Sequence, residues 1–243
     1  MRPDAVYRVL EAEVAAARQR RNGQAPRVLD VGGGSGVWAV PLAAAGCQVT
    51  VIEPSPNALA ALHRRAFEAG VADAITAVQG DTDALDRLVP PGSADLVLGH
   101  GVLEVVDDVA AAVAALTTAC APGGAVSVLV ANRYAAVLYR ALAGRLVDAR
   151  RLLDDEAGQL PGSGESVLRR FDVAGLEAAL RDAGLVVEVL QGHGVVSDVV
   201  PGSVLEANPG AADALAQLEL AAATRPPLRD VAARLHALGR RAG

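Results

Sequence analysis

Short apolar runs alternate with alanine-rich amphipathic stretches along the first half of the chain. Five of these runs have the length and composition of buried strands, and they occupy residues 27–31, 48–53, 75–79, 95–100 and 125–131. The stretches between them carry apolar residues at helical spacing. Because strands alternate with helices, the pattern predicts an α/β fold in which helices cover both faces of a parallel sheet.

The helices are predicted from spacing and from residues that start or stop a helix. Val6, Leu10, Val14 and Ala17 fall on one face, so the first twenty or so residues are predicted to form a helix. Ser55 and Pro56 supply a cap and a first-turn proline for another helix. The predicted helices after the first cover residues 36–46, 56–70, 106–120, 134–147 and 173–182, the last with Asp172 as its cap.

The pattern is looser in the last third of the chain. Residues 154–165 are predicted to be a polar linker, and 186–200 one or two strands. Two helices are expected in the alanine- and leucine-rich segment that begins at Gly202. Residues 235–240 fit either a final short strand or the tail of the second helix, and the pattern alone leaves both open.

Composition and charge exclude several classes of protein. Hydrophobic residues make up 52% and charged residues 21%, which is incompatible with an intrinsically disordered chain. The formal net charge of −6 disfavours a polyanionic partner such as nucleic acid. Apolar runs fall short of the roughly 20 residues that cross a bilayer, so no membrane partner is expected. The two cysteines have neither disulfide nor metal spacing, which predicts a cytoplasmic protein without a metal site.

The most informative motif is the glycine cluster that follows the first predicted strand. Asp30 and one spacer precede Gly32, Gly34 and Gly36, and a predicted helix comes next. Glycines let the chain turn tightly and let a ligand approach the backbone. Val37 occupies the position at which a dinucleotide fingerprint starting at Gly32 requires glycine. The acid-spacer-GxGxG arrangement is typical of proteins that bind S-adenosylmethionine.

Carboxylates follow the second and third predicted strands. Glu53 ends the second strand at a spacing from Gly32 that lets an acid accept both ribose hydroxyls. Asp81 follows the third strand, where it can pair with the adenine amino edge or cap the next short helix. His100 ends the fourth strand over the expected cofactor. It can contact cofactor or substrate, act as a general base, or be structural.

Together these motifs resemble those of class I S-adenosylmethionine-dependent methyltransferases. The resemblance is carried by the glycine cluster, Glu53, Gly80-Asp81, the strand at 94–98, and 121–124 before the fifth strand. Within that superfamily the chain is most similar to the bacterial tRNA carboxymethoxyuridine methyltransferase group. That likeness rests on 100–104, 122–124 with Asn132, and 182–198.

The resemblance implies a fold and a set of cofactor-binding residues. The fold would be a Rossmann-like, seven-stranded, mostly parallel sheet with an antiparallel last strand at 235–240, helices on both faces and a helical insert. It assigns the cofactor carboxylate to Arg2 and the ribose to Glu53, and it places His100 beside the sulfonium. Further cofactor contacts fall on the acid and the glycine turn of the motif, and on the segment after the third strand, which would lie along the adenine. By position, the residues in the turn and segment are Asp30, Gly32, Gly33, Gly34, Asp81, Thr82 and Asp83.

The chain departs from the tRNA-modifying group on its acceptor side. Asp154-Asp155-Glu156 stands where those enzymes have a basic loop, and Gly194 and Val199 stand in the segment where they carry an arginine and an aromatic. A small-molecule acceptor is therefore favoured over tRNA, which stays an alternative, as does a non-catalytic module that binds the cofactor. Residues 1–243 are expected to form one domain, with 27–131 as the cofactor half and 132–243 as the acceptor half. The oligomeric state is left open.

Overall fold

The computed structural model describes residues 4–162, 164 and 169–243, and these form seven strands and ten α-helices. The strands are β1 (Arg27–Val31), β2 (Gln48–Glu53), β3 (Ile75–Gln79), β4 (Ala94–His100), β5 (Cys120–Ala131), β6 (Leu185–His193) and β7 (Arg234–Arg241). The helices are α1 (Ala5–Arg20), α2 (Ala39–Ala44), α3 (Pro56–Glu68), α4 (Leu85–Leu88), α5 (Val109–Ala119), α6 (Arg133–Leu142), α7 (Leu146–Asp154), α8 (Val173–Asp182), α9 (Gly202–Ala207) and α10 (Ala211–Ala222).

All seven strands belong to one sheet, in the order β3-β2-β1-β4-β5-β7-β6. Strands β1 to β5 pair in parallel, whereas β7 runs antiparallel to both β5 and β6. The predicted seven-stranded, mostly parallel, Rossmann-like sheet is therefore confirmed. The strand alternative for residues 235–240 is also the observed one.

The local sequence explains how the main elements form. Four consecutive residues of β1 and six of β4 are buried, as expected for parallel strands covered on both faces. Helices α1, α3 and α8 begin at Asp4, Ser55 and Asp172, whose side chains accept a hydrogen bond from a backbone N–H of the first turn. The predicted caps at Ser55 and Asp172 are thus observed.

Two apolar cores lie on opposite faces of the sheet. On one face, helices α1, α2 and α3 bury Leu10, Leu42 and Leu62 against the sheet. On the other face, α5 and α8 bury leucines such as Leu116 and Leu180. Because each large buried side chain stabilises the fold by roughly 1.5–3 kcal/mol, both helical layers are needed.

Four element boundaries differ from the sequence prediction. The helix predicted from residue 36 starts at Ala39, because the glycines before it have positive φ angles that a right-handed helix excludes. Strand β5 starts at Cys120, which pairs with Ala94, so residues 122–124 do not break it. The helix predicted over 134–147 divides at Gly144 (φ +75°), and α7 extends into the predicted linker at 154–165. The segment 186–200 contains the single strand β6. Part of that linker, residues 163 and 165, lies outside the described residues.

The sheet order places a crevice where cofactors bind in folds of this type. The strand order reverses between β1 and β4, since β2 and β3 lie on one side of β1 and the later strands on the other. The helices that follow β1 and β2 pack on one face of the sheet, and the helix that follows β4 packs on the other. The carboxyl ends of β1 and β4 therefore border an opening to which the glycine cluster and His100 contribute.

Candidate functional site

The glycine turn, residues 32–36, connects β1 to α2 with its backbone packed against neighbouring side chains. A Cβ atom at Gly33 would lie 2.7 Å from Asp30 Oδ2, and one at Gly36 would lie 2.3 Å from Leu62 Cδ1. Gly36 also has a φ of +81°, a conformation that other residues rarely adopt. The turn therefore requires glycine for both conformation and space, and it presents bare backbone at the end of β1.

Glu53 joins the end of β2 to this turn. Its Oε2 accepts a hydrogen bond from the Gly34 N–H at 2.9 Å, and its Oε1 accepts one from the Ser55 N–H at 2.9 Å. The residue is 8% exposed. Each carboxylate oxygen can accept a second hydrogen bond, so the buried carboxylate can still bind a ligand hydroxyl.

Asp30 is a buried carboxyl, and within the described residues no cationic side chain is paired with it. The residue is 1% exposed, and Oδ2 has no hydrogen-bond partner among the described residues. Burial, followed by repulsion from the Glu53 carboxylate, raises the pKa of Asp30 to about 7. The predicted cofactor-binding carboxyl thus lies directly beneath the glycine turn, where a bound cation would favour its ionised form.

A polar crevice of about 340 Å³ opens beside the glycine turn and Glu53. Asp81 caps the short 3₁₀ helix Thr82–Ala84, because its Oδ1 accepts a hydrogen bond from the Thr82 N–H at 2.6 Å. The capping role considered for Asp81 is therefore observed, and the residue also lines the crevice. The structure thus brings together most of the predicted cofactor residues, and the crevice lining includes Gly32, Glu53, Gly80, Asp81, Thr82 and Asp83.

His100 begins a chain of hydrogen bonds that joins four neighbouring strands, β4, β5, β7 and β6. Gln191 Nε2 donates to His236 Nδ1 at 3.0 Å, and Ser127 Oγ lies 2.9 Å from His236 Nε2 and 2.8 Å from His100 Nε2. Since His236 Nδ1 accepts, its Nε2 carries the proton and donates to Ser127, whose hydroxyl donates to His100 Nε2. The proton of His100 is then on Nδ1, which is buried and has no partner in the described part of the chain.

His100 and His236, the two histidines of this hydrogen-bond chain, are both neutral at pH 7. Burial, followed by the neighbouring His236, His193 and Arg234, holds the pKa of His100 well below its usual value. Burial also lowers the pKa of His236 to about 3. A base with so low a pKa is weak at neutral pH, so the geometry favours a hydrogen-bonding role for His100 over a general-base role. His236 is fully buried.

The depressed pKa of His236 makes folding stability depend on pH. An unfolded histidine binds its proton near pH 6.5 and the folded one does not, so stability is lost as the pH falls below that value. Between about pH 7.5 and pH 5 the loss is about 2 kcal/mol for this residue. Urea denaturation of the wild type and of His236→Asn at both pH values measures it. The variant should lose less stability on acidification, whereas the exposed His63→Asn should match the wild type; equal acid sensitivity in all three would contradict the assignment.

A second, apolar pocket of about 490 Å³ lies against Trp38, and His100 is in the lining of neither this pocket nor the polar crevice. Its wall includes Trp38, whose ring meets the His100 ring edge to face with centroids 4.9 Å apart. Helix α10 contributes Leu215 and Ala216. Helix α10 therefore forms one side of this pocket.

Polar side chains hold the rim of the apolar pocket in place. His193 Nε2 lies 3.4 Å from Asp4 Oδ2, so α1 and the end of β6 meet there. The Glu219 carboxylate accepts hydrogen bonds from the backbone N–H groups of residues 195, 196 and 197 at 2.6–2.9 Å, which fixes that loop on α10. The aromatic side chains of the pocket lining are Tyr7 and Trp38, and Tyr134 and Tyr139 lie outside it. No periodicity in the sequence marks Tyr7 or Trp38 as a pocket residue.

Three other expectations concern residues or groups that bear on the site. Arg2, predicted to hold a carboxylate, lies outside the described residues. Among the residues that are described, no group of three or more His, Cys, Asp or Glu side chains could hold a metal ion. The helices of the described chain are all too short or too polar to cross a membrane. Cys47 and Cys120 are both free and buried.

Residues 5–190 match the family model of a methyltransferase domain. The tRNA 5-carboxymethoxyuridine methyltransferase of Escherichia coli is 32% identical over 119 residues, which are 49% of this chain and 45% of that protein. This chain thus aligns with about half the length of that relative. The ubiquinone biosynthesis O-methyltransferase of Paracidovorax citrulli is 34% identical over 174 residues, 71% of this chain and 67% of that one.

Solved structures of low sequence identity share the fold. The S-adenosylmethionine dependent methyltransferase from Mesorhizobium loti superposes with a TM-score of 0.63 at 21% identity, over 98% of each chain. The magnesium protoporphyrin IX methyltransferase of Synechocystis, solved with bound SAH, has a TM-score of 0.60 at 15% identity. It covers 98% of this chain and 84% of that one. At these identities the likeness establishes the sheet and its helices.

Proposed function

The chain belongs to the methyltransferase domain family, and from that membership we propose that it is an S-adenosylmethionine-dependent methyltransferase acting on a small-molecule acceptor. The observation that supports this best is the group formed by the glycine turn, Glu53 and the unpartnered Asp30 at the point where the strand order reverses. In proteins of this architecture that position binds the cofactor.

The residues present suit this cofactor in shape and in charge. When bound, S-adenosylmethionine supplies an electrophilic methyl group. Its ammonium and sulfonium groups are cations, which complement the buried carboxyl of Asp30 and the carboxylate of Glu53. Glu53 would hold the ribose hydroxyls, the glycine turn would admit the methionine part, and Thr82 and Asp83 would lie along the adenine. His100, which is followed by Gly101 of the crevice lining and contacts Trp38 of the pocket lining, would face the reacting region with its Nδ1–H.

A small-molecule acceptor agrees better with the charge than a nucleic acid does. The formal net charge is −6, and neither pocket has an arginine in its described lining. Phosphate contacts from cationic side chains dominate nucleic-acid affinity. The positions of the two cavities support a division into a cofactor half, 27–131, and an acceptor half, 132–243. The polar crevice is lined by residues of the first half, and β6 and α10 of the second half supply part of the apolar pocket.

The tRNA modification indicated by the Escherichia coli relative is the second candidate, because that protein is 32% identical over its aligned region. Isothermal titration with S-adenosylmethionine and S-adenosylhomocysteine tests the first proposal, with micromolar binding expected for both. If the protein binds neither compound, both the small-molecule proposal and the tRNA alternative are overturned. Nucleoside mass spectrometry of a deletion strain separates the two candidates: loss of the methyl ester of carboxymethoxyuridine would favour tRNA, and an unchanged nucleoside profile the small molecule.

A further inference from the structure

We propose that the apolar pocket is the acceptor site and that His193, positioned by Asp4, is the general base for an uncharged, flat acceptor that carries a phenol-like hydroxyl. This inference rests on the proposed methyltransferase function and deepens it. It concerns a side-chain pair 189 residues apart in the sequence, which the fold brings to one rim.

The lining of the apolar pocket favours an uncharged ring over an anionic acceptor. Tyr7 and Trp38 supply aromatic faces, and Leu215 and Ala216 supply aliphatic ones. The described lining includes no arginine that could neutralise a carboxylate or a phosphate. The Glu219 carboxylate faces three backbone N–H groups, so it is already satisfied. A flat apolar molecule would replace water against these surfaces at little polar cost.

The His193–Asp4 pair has the arrangement of a base with an orienting group. Asp4 is itself fixed, because its Oδ1 accepts a hydrogen bond from the Val6 N–H at 2.7 Å, and its Oδ2 lies 3.4 Å from His193 Nε2. With Nε2 directed to a carboxylate, Nδ1 is the nitrogen left to accept a proton. The carboxylate then stabilises the imidazolium that forms.

His193 differs from His100 in its access to the pocket. The His193 side chain is 33% exposed and belongs to the lining, whereas His100 is held in the buried hydrogen-bond chain behind Trp38. In the step, the hydroxyl proton passes to His193, the oxygen electron pair forms the new C–O bond, and the C–S bond breaks onto sulfur to leave a neutral thioether. The proton later leaves His193 for solvent.

Charged groups from several elements lie in the neighbourhood of His193. Asp4 on α1 and Glu219 on α10 belong to the same pocket, and Asp198 lies in the loop after β6. Arg234 is opposite His193 in the pairing of β6 with β7, and the buried neutral His236 is two residues further along β7. Of these groups, Asp4 is paired with His193 at 3.4 Å, so an Asp4→Asn variant tests the orientation of the imidazole.

Binding can be tested without turnover, because Trp38 is the only tryptophan in the chain. 4-Nitrophenol is titrated into the protein saturated with S-adenosylhomocysteine, and quenching of the Trp38 fluorescence reports occupancy of the pocket. Ala216→Phe fills the pocket and should weaken 4-nitrophenol binding about tenfold or more, while Ala214→Phe on the exposed side of α10 should not. S-adenosylhomocysteine affinity, measured by calorimetry, should be unchanged in both.

The outcomes separate the acceptor site from the cofactor site. Protein that fails to bind S-adenosylhomocysteine would overturn the proposed function itself. Protein that binds S-adenosylhomocysteine but shows no quenching, or equal quenching in Ala216→Phe and wild type, would overturn only the placement of the acceptor.

The base is tested by the colour of bound 4-nitrophenol, because its phenolate absorbs at longer wavelength than the phenol. His193→Gln should retain 4-nitrophenol binding within about threefold, lose the phenolate absorbance of the bound probe, and lower its methylation rate by about 10²–10⁴-fold. Asp4→Asn should lower the rate about tenfold and shift its pH profile. Unchanged phenolate absorbance and rate in His193→Gln would show that another group takes the proton.

Discussion

Replacing Asp30 by asparagine is expected to raise the free energy of unfolding of the cofactor-free protein at pH 8 by roughly 1–3 kcal/mol. The folded carboxyl has a pKa of about 7, against an ordinary 3.8, so at pH 8 it is held ionised in a buried site at a cost of about 4 kcal/mol. An asparagine removes that cost, and burying its amide offsets it by about 1–3 kcal/mol.

The effect of Asp30→Asn on the free energy of unfolding depends on pH. Because the folded pKa is raised, the carboxyl contributes stability below about pH 4, and that contribution is lost as the pH rises to about 7. The advantage of Asp30→Asn should therefore be large at pH 8 and small at pH 5, as urea denaturation measures. Asp73→Asn, an exposed carboxyl, should match the wild type at both. A variant less stable than wild type at pH 8 would mean that a partner stabilises the ionised Asp30.

Glu53→Ala is expected to weaken S-adenosylhomocysteine binding by about 10²–10⁴-fold. Two hydrogen bonds from ribose hydroxyls to a buried carboxylate are worth about 1.5–3 kcal/mol each, and the loss of the Gly34 and Ser55 contacts also loosens the glycine turn. Calorimetric titration measures the affinity, and circular dichroism confirms that the variant is folded.

Matched variants separate ligand contact from support of the turn in the Glu53 prediction. Glu53→Gln keeps the size of the side chain and should retain part of the support of the turn, so its affinity should lie between those of wild type and Glu53→Ala. Glu68→Ala removes an exposed carboxylate at the end of α3 and should bind as wild type does. An affinity of Glu53→Ala within about threefold of wild type would remove the ribose assignment.

The sequence was sufficient to predict the parallel half of the sheet. Strands β1, β2 and β3 have the predicted bounds, because each is a short apolar run that ends at a glycine or proline turn or at a helix cap. The predicted start of β5, residue 125, lies after the observed start at Cys120. Gly124 looks like a breaker, yet a Cβ there would lie 2.8 Å from the Asp95 carbonyl oxygen, so this glycine permits close pairing within the sheet.

The polar crevice followed from sequence and the apolar pocket did not, for a physical reason. The crevice forms from turns directly after successive parallel strands, whose ends must meet at one edge. The pocket and the buried hydrogen-bond chain join residues with no local pattern. Ser127 and His236, for example, are 109 positions apart and meet only because β7 pairs with β5.

The place of β7 in the sheet has a consequence for biosynthesis. This strand is the last of the seven to leave the ribosome, yet it lies between β5 and β6 and bonds to both. Until it emerges, the nascent chain has an open edge at β5 and a β6 without a neighbour, which is the kind of surface that chaperones bind. Stalled chains that end before Arg234 should therefore be sensitive to protease across β6, and protection there should begin only when β7 is released.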